Sequence, residues 1–218
     1  MGKFAVIDKR ERRGLTWFGR LMVLVVLFSL LLIYIFTIQQ FLAQTETVKG
    51  DVLVVEGFIP DYAMEESKGI FEKGNYKLII ITGKPFEKGS HLSIYKNSGE
   101  SSAATLIKLG MDNKYIRVVS LEDYHKRDRT YATALGLKEW IESSSMKIKS
   151  LDLVTIDCHA RRSRLLFQKV FGDDIEVGII SIVNRDYDPD KWWASSNGFR
   201  TVIQETIAWI YARFLFRP

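Results

Sequence analysis

The residues best suited to chemistry lie in the stretch 154–172, VTIDCHARRSRLLFQKVFG, where an apolar segment runs into a helix that begins near His159. Arg161, Arg162 and Arg164 occupy the first two turns of this helix, where the positive end of the helix dipole disfavours cations. Cations in that position indicate an anionic partner, and histidine exchanges a proton near neutral pH. The stretch therefore predicts a polar site for an anionic ligand. A capped helix with solvated arginines is the alternative interpretation.

The face of this helix that looks toward the site follows from winding it at about 100° per residue. His159 then shares a face with the apolar residues Leu166 and Val170. Arg162 flanks that face, whereas Arg161 points away from it. We expect His159 and Arg162 to reach the ligand and Arg161 to be solvated.

Other polar residues fall at similar places in neighbouring elements. Two further helix starts, at Glu100 and Thr130, carry a polar residue on the face that packs against a sheet. The predicted carboxyl ends of strands supply the rest of one ring of residues: Glu56, Gly57, Thr82, Gly83 and Thr155. In open α/β sheets ligands bind in the crevice outside those ends. Capping and helix-dipole roles are the alternative explanation for Glu100 and Thr130.

The chemistry of this crevice is narrowed by motifs that the sequence does not contain. Only a lone Gly57 follows the first strand, so there is no G-x-G-x-x-G turn for a dinucleotide, and neither a P-loop nor a nucleophile elbow occurs. The histidines His91, His125 and His159 lack the spacing of metal ligands. We therefore expect neither a metal nor another cofactor.

A general acid/base pair and two arginines remain as the functional groups of the crevice. The pair is His159 with either Glu100 or Glu56. Arg129 and Arg162 stand beside it, and the planar guanidinium group suits a phosphate or a carboxylate. The expected ligand is anionic, with a phosphorylated compound as the leading candidate.

The net charge of +5 gives no evidence for a nucleic-acid surface, because most of it lies in the N-terminal tail. Residues 1–20 hold six basic and two acidic side chains, which leaves only +1 for the rest of the chain. Nucleic acid is therefore not an expected partner. The single cysteine, Cys158, cannot form an intrachain disulfide.

Residues 21–38, LMVLVVLFSLLLIYIFTI, form an uncharged run of about the length that a helix needs to cross the hydrocarbon core of a membrane. Basic side chains crowd its N-terminal side, so the positive-inside rule places that side in the cytoplasm. The expected parts are a basic cytoplasmic tail at 1–20, a transmembrane helix at 21–42, a linker at 43–49 and an extracytoplasmic domain at 50–218. A cleaved signal peptide is the alternative, although Phe41 stands where cleavage after Ala43 requires a small residue.

Apolar runs typical of buried strands alternate with helical patterns through most of the chain after the linker. The predicted strands are 51–56, 77–83, 115–120, 151–156 and 175–182. Crossovers between parallel strands need a dozen or more residues, which the intervening helices supply. The pattern predicts an α/β domain with a three-layer, Rossmann-like arrangement and a mostly parallel sheet, preceded by one transmembrane helix.

The last predicted helix, at 201–216, is apolar on more than one side. Ile203, Ile207, Ile210 and Phe214 form one stripe along it. Such a helix is expected to pack on the domain, with contact to the membrane surface as the alternative.

Six segments resemble the SanA/ElyC/YdcF family of bacterial envelope proteins, also called domain of unknown function 218. They are GFIPDY at 57–62, ITGKP at 81–85, the helix of Glu100, DRTYATA at 128–134, VTIDCHARRSRLLF at 154–167 and WWASSNGFRTVIQET at 192–206. The resemblance implies a Rossmann-like fold and a role in the cell envelope, since anchored members are associated with peptidoglycan or lipid-carrier metabolism. It also implies functional roles for the residues that match the family's polar motif positions: Glu100, Arg129, Thr130, Thr155, His159, Arg162 and Glu205.

These observations lead us to expect a single-pass protein of the bacterial cytoplasmic membrane that binds a phosphorylated glycan or a polyprenyl-phosphate intermediate. In an enzyme of this kind His159 would act as acid or base with Glu100 orienting it, and Arg129 and Arg162 would hold the phosphate. A non-catalytic module that binds an anionic ligand and regulates envelope assembly is one alternative. Binding of S-adenosylmethionine or a nucleotide, as implied by the resemblance to YdcF, is another.

Overall fold

The computed structural model describes residues 15–86, 93–120, 128–144 and 146–217. The chain divides into two compact units, Met1–Thr37 and Ile38–Pro218. Most of the predicted basic tail, and the histidines His91 and His125, lie outside the described residues.

Helix α1, Trp17–Leu42, is the one helix in the described ranges that is long and apolar enough to cross a membrane. It has 26 residues, and at about 1.5 Å per residue its length exceeds the roughly 30 Å of a hydrocarbon core. Within α1, no charged side chain occurs between Leu21 and Leu42. Large apolar side chains such as Leu24 and Phe28 are exposed, as a helix that faces lipid requires.

The second unit is built on a parallel sheet, which confirms the predicted α/β class. Its strands are β1 (Val52–Glu56), β2 (Ile79–Gly83), β3 (Ile116–Ser120), β4 (Ser150–Ile156) and β5 (Glu176–Ile182). They lie in the order β3-β2-β1-β4-β5, and every described pairing is parallel. The β-branched run of β1 is buried throughout because this strand is central and both of its faces are covered.

Helices cover both faces of the sheet and complete three layers. They are α2 (Asp61–Lys73), α3 (Ser98–Lys108), α4 (Arg129–Ser143) and α5 (His159–Phe171). On one face Val54 and Ile80 share a core with Leu137 of α4 and Phe167 of α5. On the other face the opposite sides of the same strands share a core with residues of α2 and α3, among them Met64. The alternation of side chains along buried strands accounts for the two cores.

The order of the strands creates a crevice at one edge of the sheet. The chain proceeds outward from β1 to β3 and then restarts at β4 on the other side of β1, so the topological switch point lies between β1 and β4. Glu56 and Thr82 are paired neighbours at the carboxyl ends of β1 and β2. Ligands of open parallel sheets bind at such a place.

The segment between α1 and β1, which includes the predicted linker, is fixed to the domain. Leu42 is fully buried, and Glu46 forms an antiparallel bridge with Ile179 of β5. The fully buried carboxylate of Asp152 on β4 accepts hydrogen bonds from the backbone N–H groups of Val48 and Gly50, both at 2.9 Å. The compact unit therefore begins at the end of α1, ahead of the predicted boundary at residue 50.

The last helix begins earlier than predicted and packs on the domain with one face. Helix α6 is Ser196–Ile210, capped by Ser195, and a π-helical segment, Tyr211–Leu215, follows it. Val202 and Ala212 are buried against the domain. The predicted stripe points the other way, since Ile207 is 63% and Phe214 is 68% exposed.

Candidate functional site

A cavity of about 560 Å³ opens at the carboxyl ends of β1 and β2, beside the switch point. Its size falls within the range typical of sites for small molecules. The residues with polar groups in its lining are Glu56, Thr82, Gly83, Lys84, Ser98, Asp128, Arg129, Thr130, Thr133, His159 and Arg162. Apolar and aromatic residues complete the lining: Phe58, Leu166, Ala208, Tyr211, Ala212 and Phe216.

Most of the predicted site residues meet in this cavity. Glu56, Thr82, Gly83, Arg129, Thr130, His159 and Arg162 all line it. They come from four strands or helices that are distant in sequence, which the parallel topology brings to a single edge.

His159, the first residue of α5, has a different partner at each side of its imidazole ring. Its Nδ1 atom lies 3.0 Å from Oε1 of Glu205 and 2.8 Å from Nη2 of Arg162. Its Nε2 atom is buried without a hydrogen-bond partner among the described residues, 3.7 Å from Oε2 of Glu56. The ring of Phe58 contacts the imidazole edge to face, with 5.3 Å between centroids. One ring nitrogen is thus held in place while the other lacks a partner.

Arg162 and Glu205 form a two-point ion pair behind this histidine. Nε and Nη2 of Arg162 donate to the two carboxylate oxygens of Glu205 at 2.8 and 3.0 Å. Burial alone would raise the pKa of Glu205, but the hydrogen bonds and charges of His159 and Arg162 outweigh it and lower the pKa to about 2. Burial alone would lower the pKa of Arg162, and the Glu205 carboxylate raises it instead. Both groups are therefore charged at neutral pH.

The ion pair changes the expected role of Arg162. Its Nη1 atom is 3.4 Å from Oγ1 of Thr130, so all three guanidinium nitrogens have a partner within the protein. Arg162 therefore positions His159 and Glu205 at the cavity wall. The cations at the cavity that are not part of this ion pair are Lys84 and Arg129.

Glu56 is a buried carboxylate at the end of β1 that faces His159. It is only 2% exposed, and its Oε2 atom accepts a hydrogen bond from Ser163 of α5 at 3.2 Å. The central position of β1 explains the burial, because neighbouring strands and both helix layers enclose its carboxyl end. Of the two carboxylates expected to pair with His159, Glu56 is the one that the structure brings near the ring.

Glu100 lies elsewhere and has a local structural task. Asn97 caps α3 by accepting from the Glu100 backbone N–H at 2.8 Å, and the Glu100 carboxylate accepts from the Lys96 backbone N–H at 2.8 Å. This reciprocal arrangement resembles a capping box. Glu100 is outside the cavity lining, and Glu205 of α6 takes the position at His159 that was expected of Glu100.

Of the remaining predicted residues, Gly83 lines the cavity, whereas Gly57 and Thr155 lie outside the lining. Gly57 follows β1, where a Cβ atom would lie only 2.5 Å from the carbonyl oxygen of Thr82. Gly83 approaches the start of α3 so closely that a Cβ atom would lie 2.7 Å from the backbone nitrogen of Gly99. Thr155 of β4 is fully buried outside the lining. Tight backbone packing accounts for both glycines.

Three helices begin at this cavity. Ser98, Thr130 and His159 stand in the first turns of α3, α4 and α5 and all line the cavity. The partial positive charge of a helix N-terminus favours an anion.

Unsatisfied polar atoms also gather at this edge of the sheet. The described buried side-chain atoms without a hydrogen-bond partner are Ser120 Oγ, Thr155 Oγ1 and His159 Nε2. Each belongs to the carboxyl end of a strand or to the helix start that follows one. Buried polar groups usually have a partner, so this edge is suited to a polar ligand or to ordered water.

Several lining residues were not among the predicted site residues, although Phe58 lies in the segment GFIPDY and Lys84 in ITGKP. Phe58, Tyr211 and Phe216 form an apolar wall, and Lys84 extends from the end of β2. Their convergence in three dimensions identifies them as lining residues. Cys158, which precedes the histidine, is fully buried, and burial together with the charge of Asp157 raises the pKa of its thiol. A protonated thiol is a weak nucleophile.

The arginines at the start of α5 separate into two groups. Arg162 lines the cavity. Arg161 donates to the backbone carbonyl of Phe41 and stacks on its ring, and Arg164 pairs with Glu46. Arg161 was expected to be solvated, and it instead contacts the residues that follow the apolar run of α1.

A comparison of this chain with models of protein families finds no match, and a comparison with curated proteins finds no significant relative.

Proposed function

We propose that this protein is anchored in the bacterial cytoplasmic membrane by α1 and that its extracytoplasmic domain binds a phosphorylated glycan or a polyprenyl-phosphate intermediate of envelope assembly. The observation that carries the proposal is a cavity lined by a positioned histidine, by the first turns of three helices, and by Lys84 and Arg129. The resemblance of its motifs to the SanA/ElyC/YdcF family supports an envelope role. The position of the basic tail before α1 supports the orientation.

The phosphate of such a ligand would be held by backbone N–H groups and by the cations at the cavity. Helix N-termini bind phosphate through orphan N–H groups, and a charged side chain adds a charge-assisted hydrogen bond. Tyr211, Ala212 and Phe216 offer an apolar wall beside this polar end. An amphiphilic phosphate matches both parts of the lining.

The site also has the parts of an acid/base catalyst. When Nδ1 of His159 accepts from Arg162, the ring proton resides on the buried Nε2, and we expect it to pass to the leaving group of a ligand that reaches this atom. When the ring is doubly protonated, Nδ1 donates to Glu205 instead. Glu56, 3.7 Å from Nε2, stabilises that cation. His159 is therefore the residue that we expect to transfer the proton in any hydrolysis of the bound ligand.

Calorimetric titration of the detergent-solubilised full chain tests binding. A polyprenyl phosphate and sugar nucleotides are the probes, with S-adenosylmethionine as the competing candidate. Arg129→Gln removes a cation from the cavity, and we expect about a tenfold weaker affinity for the phosphate ligand, corresponding to about 1.4 kcal/mol. The matched control is Arg117→Gln, which neutralises an exposed arginine of β3.

Unchanged affinity in Arg129→Gln, or preferential binding of S-adenosylmethionine, would contradict the proposal. His159→Ala then separates the two forms of the function. If the protein is an enzyme, this variant retains binding and loses turnover of the phosphate ligand.

A binding module without catalysis is the second candidate, and one observation favours it. Arg162, Glu205 and His159 Nδ1 satisfy one another, which makes the wall of the cavity rigid. A module of this kind predicts that His159→Ala supports envelope assembly as well as the wild type does, whereas Arg129→Gln does not.

A further inference from the structure

The outer face of α6 is a continuous apolar surface on the domain. Phe199, Ile207, Ile210 and Phe214 recur at helical spacing and are 54%, 63%, 44% and 68% exposed. A shallow groove lined mainly by apolar side chains, including Phe199, Ile203 and Ile207, runs along the same helix. Contiguous apolar surface of this kind marks a site of contact with a partner or a membrane.

The charged residues beside this stripe are basic. Arg200 of α6 and Arg213 of the following π-helical segment flank it, whereas Glu205 points inward to His159. An apolar stripe bordered by arginines is the pattern of a helix that lies in the interface of a membrane with anionic lipids.

A small basic cleft lies next to the stripe, between α5 and α6. It is about 230 Å³ in volume and contains Arg161, Arg164 and Arg213, with Glu46 as its acidic residue. Burial and the neighbouring charge of Arg164 lower the pKa of Arg161. The arginines outnumber the one carboxylate that pairs with Arg164, so the cleft complements an anionic headgroup.

Both features adjoin the point where the chain leaves the apolar run. Phe41 is three residues beyond the end of that run at residue 38, which is about 5 Å along a helix. The Phe41 ring contacts Trp209 of α6 with 5.0 Å between centroids, and the guanidinium group of Arg161 lies over the Phe41 ring, 3.7 Å from its centroid. The cleft itself is lined by Gln44 and Trp209. If the proposed anchor leaves the membrane near residue 38, chain connectivity brings Phe41 and the Trp209 that it contacts to the membrane surface.

We infer that the outer face of α6 is a second membrane contact, with its apolar stripe at the acyl boundary and the Arg161, Arg164 and Arg213 cleft on anionic phospholipid headgroups. The inference rests on the proposed membrane anchorage but not on the proposed ligand or reaction. This contact would place the cavity at the level of the lipid headgroups. The wall of the cavity includes Tyr211 and Ala212 of the π-helical segment that follows α6.

The test uses the full chain in nanodiscs that contain a lipid-attached nitroxide quencher. Single-cysteine labelling with an environment-sensitive dye is possible because the native Cys158 is fully buried. The labelled variants are Ile207→Cys on the stripe, Ser29→Cys within α1, and Lys108→Cys on α3 as the exposed control. We expect quenching at 207 to be several-fold stronger than at 108.

Each outcome has one meaning. Quenching at 29 with none at 207 overturns this inference and leaves the anchorage intact. Absence of quenching at 29 overturns the anchorage itself. A dye at 207 that is protected from lipid and water, and that crosslinks to a second copy, identifies a dimer contact and overturns the inference.

The role of the basic cleft is tested in the same nanodiscs by the dependence of quenching on anionic lipid. Adding phosphatidylglycerol to phosphatidylcholine nanodiscs should increase quenching at 207, and Arg161→Gln with Arg213→Gln should abolish that increase. Lys147→Gln with Arg117→Gln removes two exposed charges elsewhere and is the matched control. Equal dependence on phosphatidylglycerol in both double variants contradicts the cleft assignment.

Discussion

The ion pair between Glu205 and Arg162 determines which way His159 presents its ring. Both partners are largely buried, with side-chain exposures of 13% and 17%, so their charges are screened little by solvent. The pairing joins α5 to α6 across 43 residues of sequence. It therefore has a thermodynamic signature that can be measured apart from any reaction.

That signature is a loss of stability in acid. The pKa of Glu205 falls from 4.5 to about 2 on folding, so the carboxylate contributes stability above pH 4.5 that is lost as the pH drops toward 2. We expect up to about 3 kcal/mol of the free energy of unfolding to vanish over this interval. Denaturant unfolding of wild type and Glu205→Gln at several pH values measures it.

Glu205→Gln should lack this part of the pH dependence and should be less stable at neutral pH, because Arg162 then keeps a buried charge without its counter-ion. Glu139→Gln, at an exposed position of α4, is the control and should follow the wild-type curve. Parallel curves for Glu205→Gln and wild type would show that the ion pair does not form in solution.

Among the elements, β4 carries a fully buried carboxylate, that of Asp152, which binds the segment before β1. Asp152 accepts from the backbone N–H groups of Val48 and Gly50 and from the hydroxyl group of Tyr76 at 2.9 Å. Its side chain occupies the space beside Gly178 of β5, where a Cβ atom would lie 2.0 Å from Oδ1. The strand thereby fastens the segment that leads from α1 into the sheet.

Asp152→Asn should weaken this attachment. The amide group places two donors where Gly50 and Tyr76 already donate, so at least one buried donor loses its acceptor at a cost of about 2 kcal/mol. For a chain of this size we expect the melting temperature to fall by about 5 °C. Asp173→Asn, at an exposed position after α5, is the control for thermal unfolding. Equal melting temperatures would contradict the role of Asp152.

For the whole molecule, the end of α1 belongs to the core of the domain. Leu42 is fully buried, and Gln39 donates to the buried Asp157 at 2.8 Å. Asp157 also accepts from Tyr187, and its burial raises its pKa despite these hydrogen bonds. Cleavage after Ala43 would therefore remove part of the folded domain.

This predicts a difference between two fragments of the chain. A fragment of residues 38–218 should be more stable to urea than one of 44–218 by about 3 kcal/mol, because the shorter one loses the burial of Leu42 and the partner of Asp157. Leu42→Ala in the longer fragment isolates the packing contribution and should account for at least half of the difference. Identical unfolding midpoints for the two fragments would show that α1 contributes nothing to the domain.

The α/β class, the apolar helix and the approximate bounds of the strands could all be predicted from the sequence. These features follow from local patterns. An uncharged run of 18 residues predicts a membrane-spanning helix, and the alternation of β-branched and helical segments predicts the strands and helices of an α/β sheet. The convergence of Glu56, Thr82, Thr130 and His159 was also accessible, since parallel strands place their carboxyl ends at one edge.

Only the tertiary structure decided which carboxylates meet His159 and which face of α6 is outside. Glu100 and Glu205 are equally polar in the sequence, but Glu100 lies three residues after Asn97 and satisfies a local cap. Glu205 reaches the histidine through a contact across 46 residues, which no local pattern encodes. The periodicity of α6 likewise defines an apolar stripe without stating whether protein or lipid covers it, because both exclude water from it in the same way.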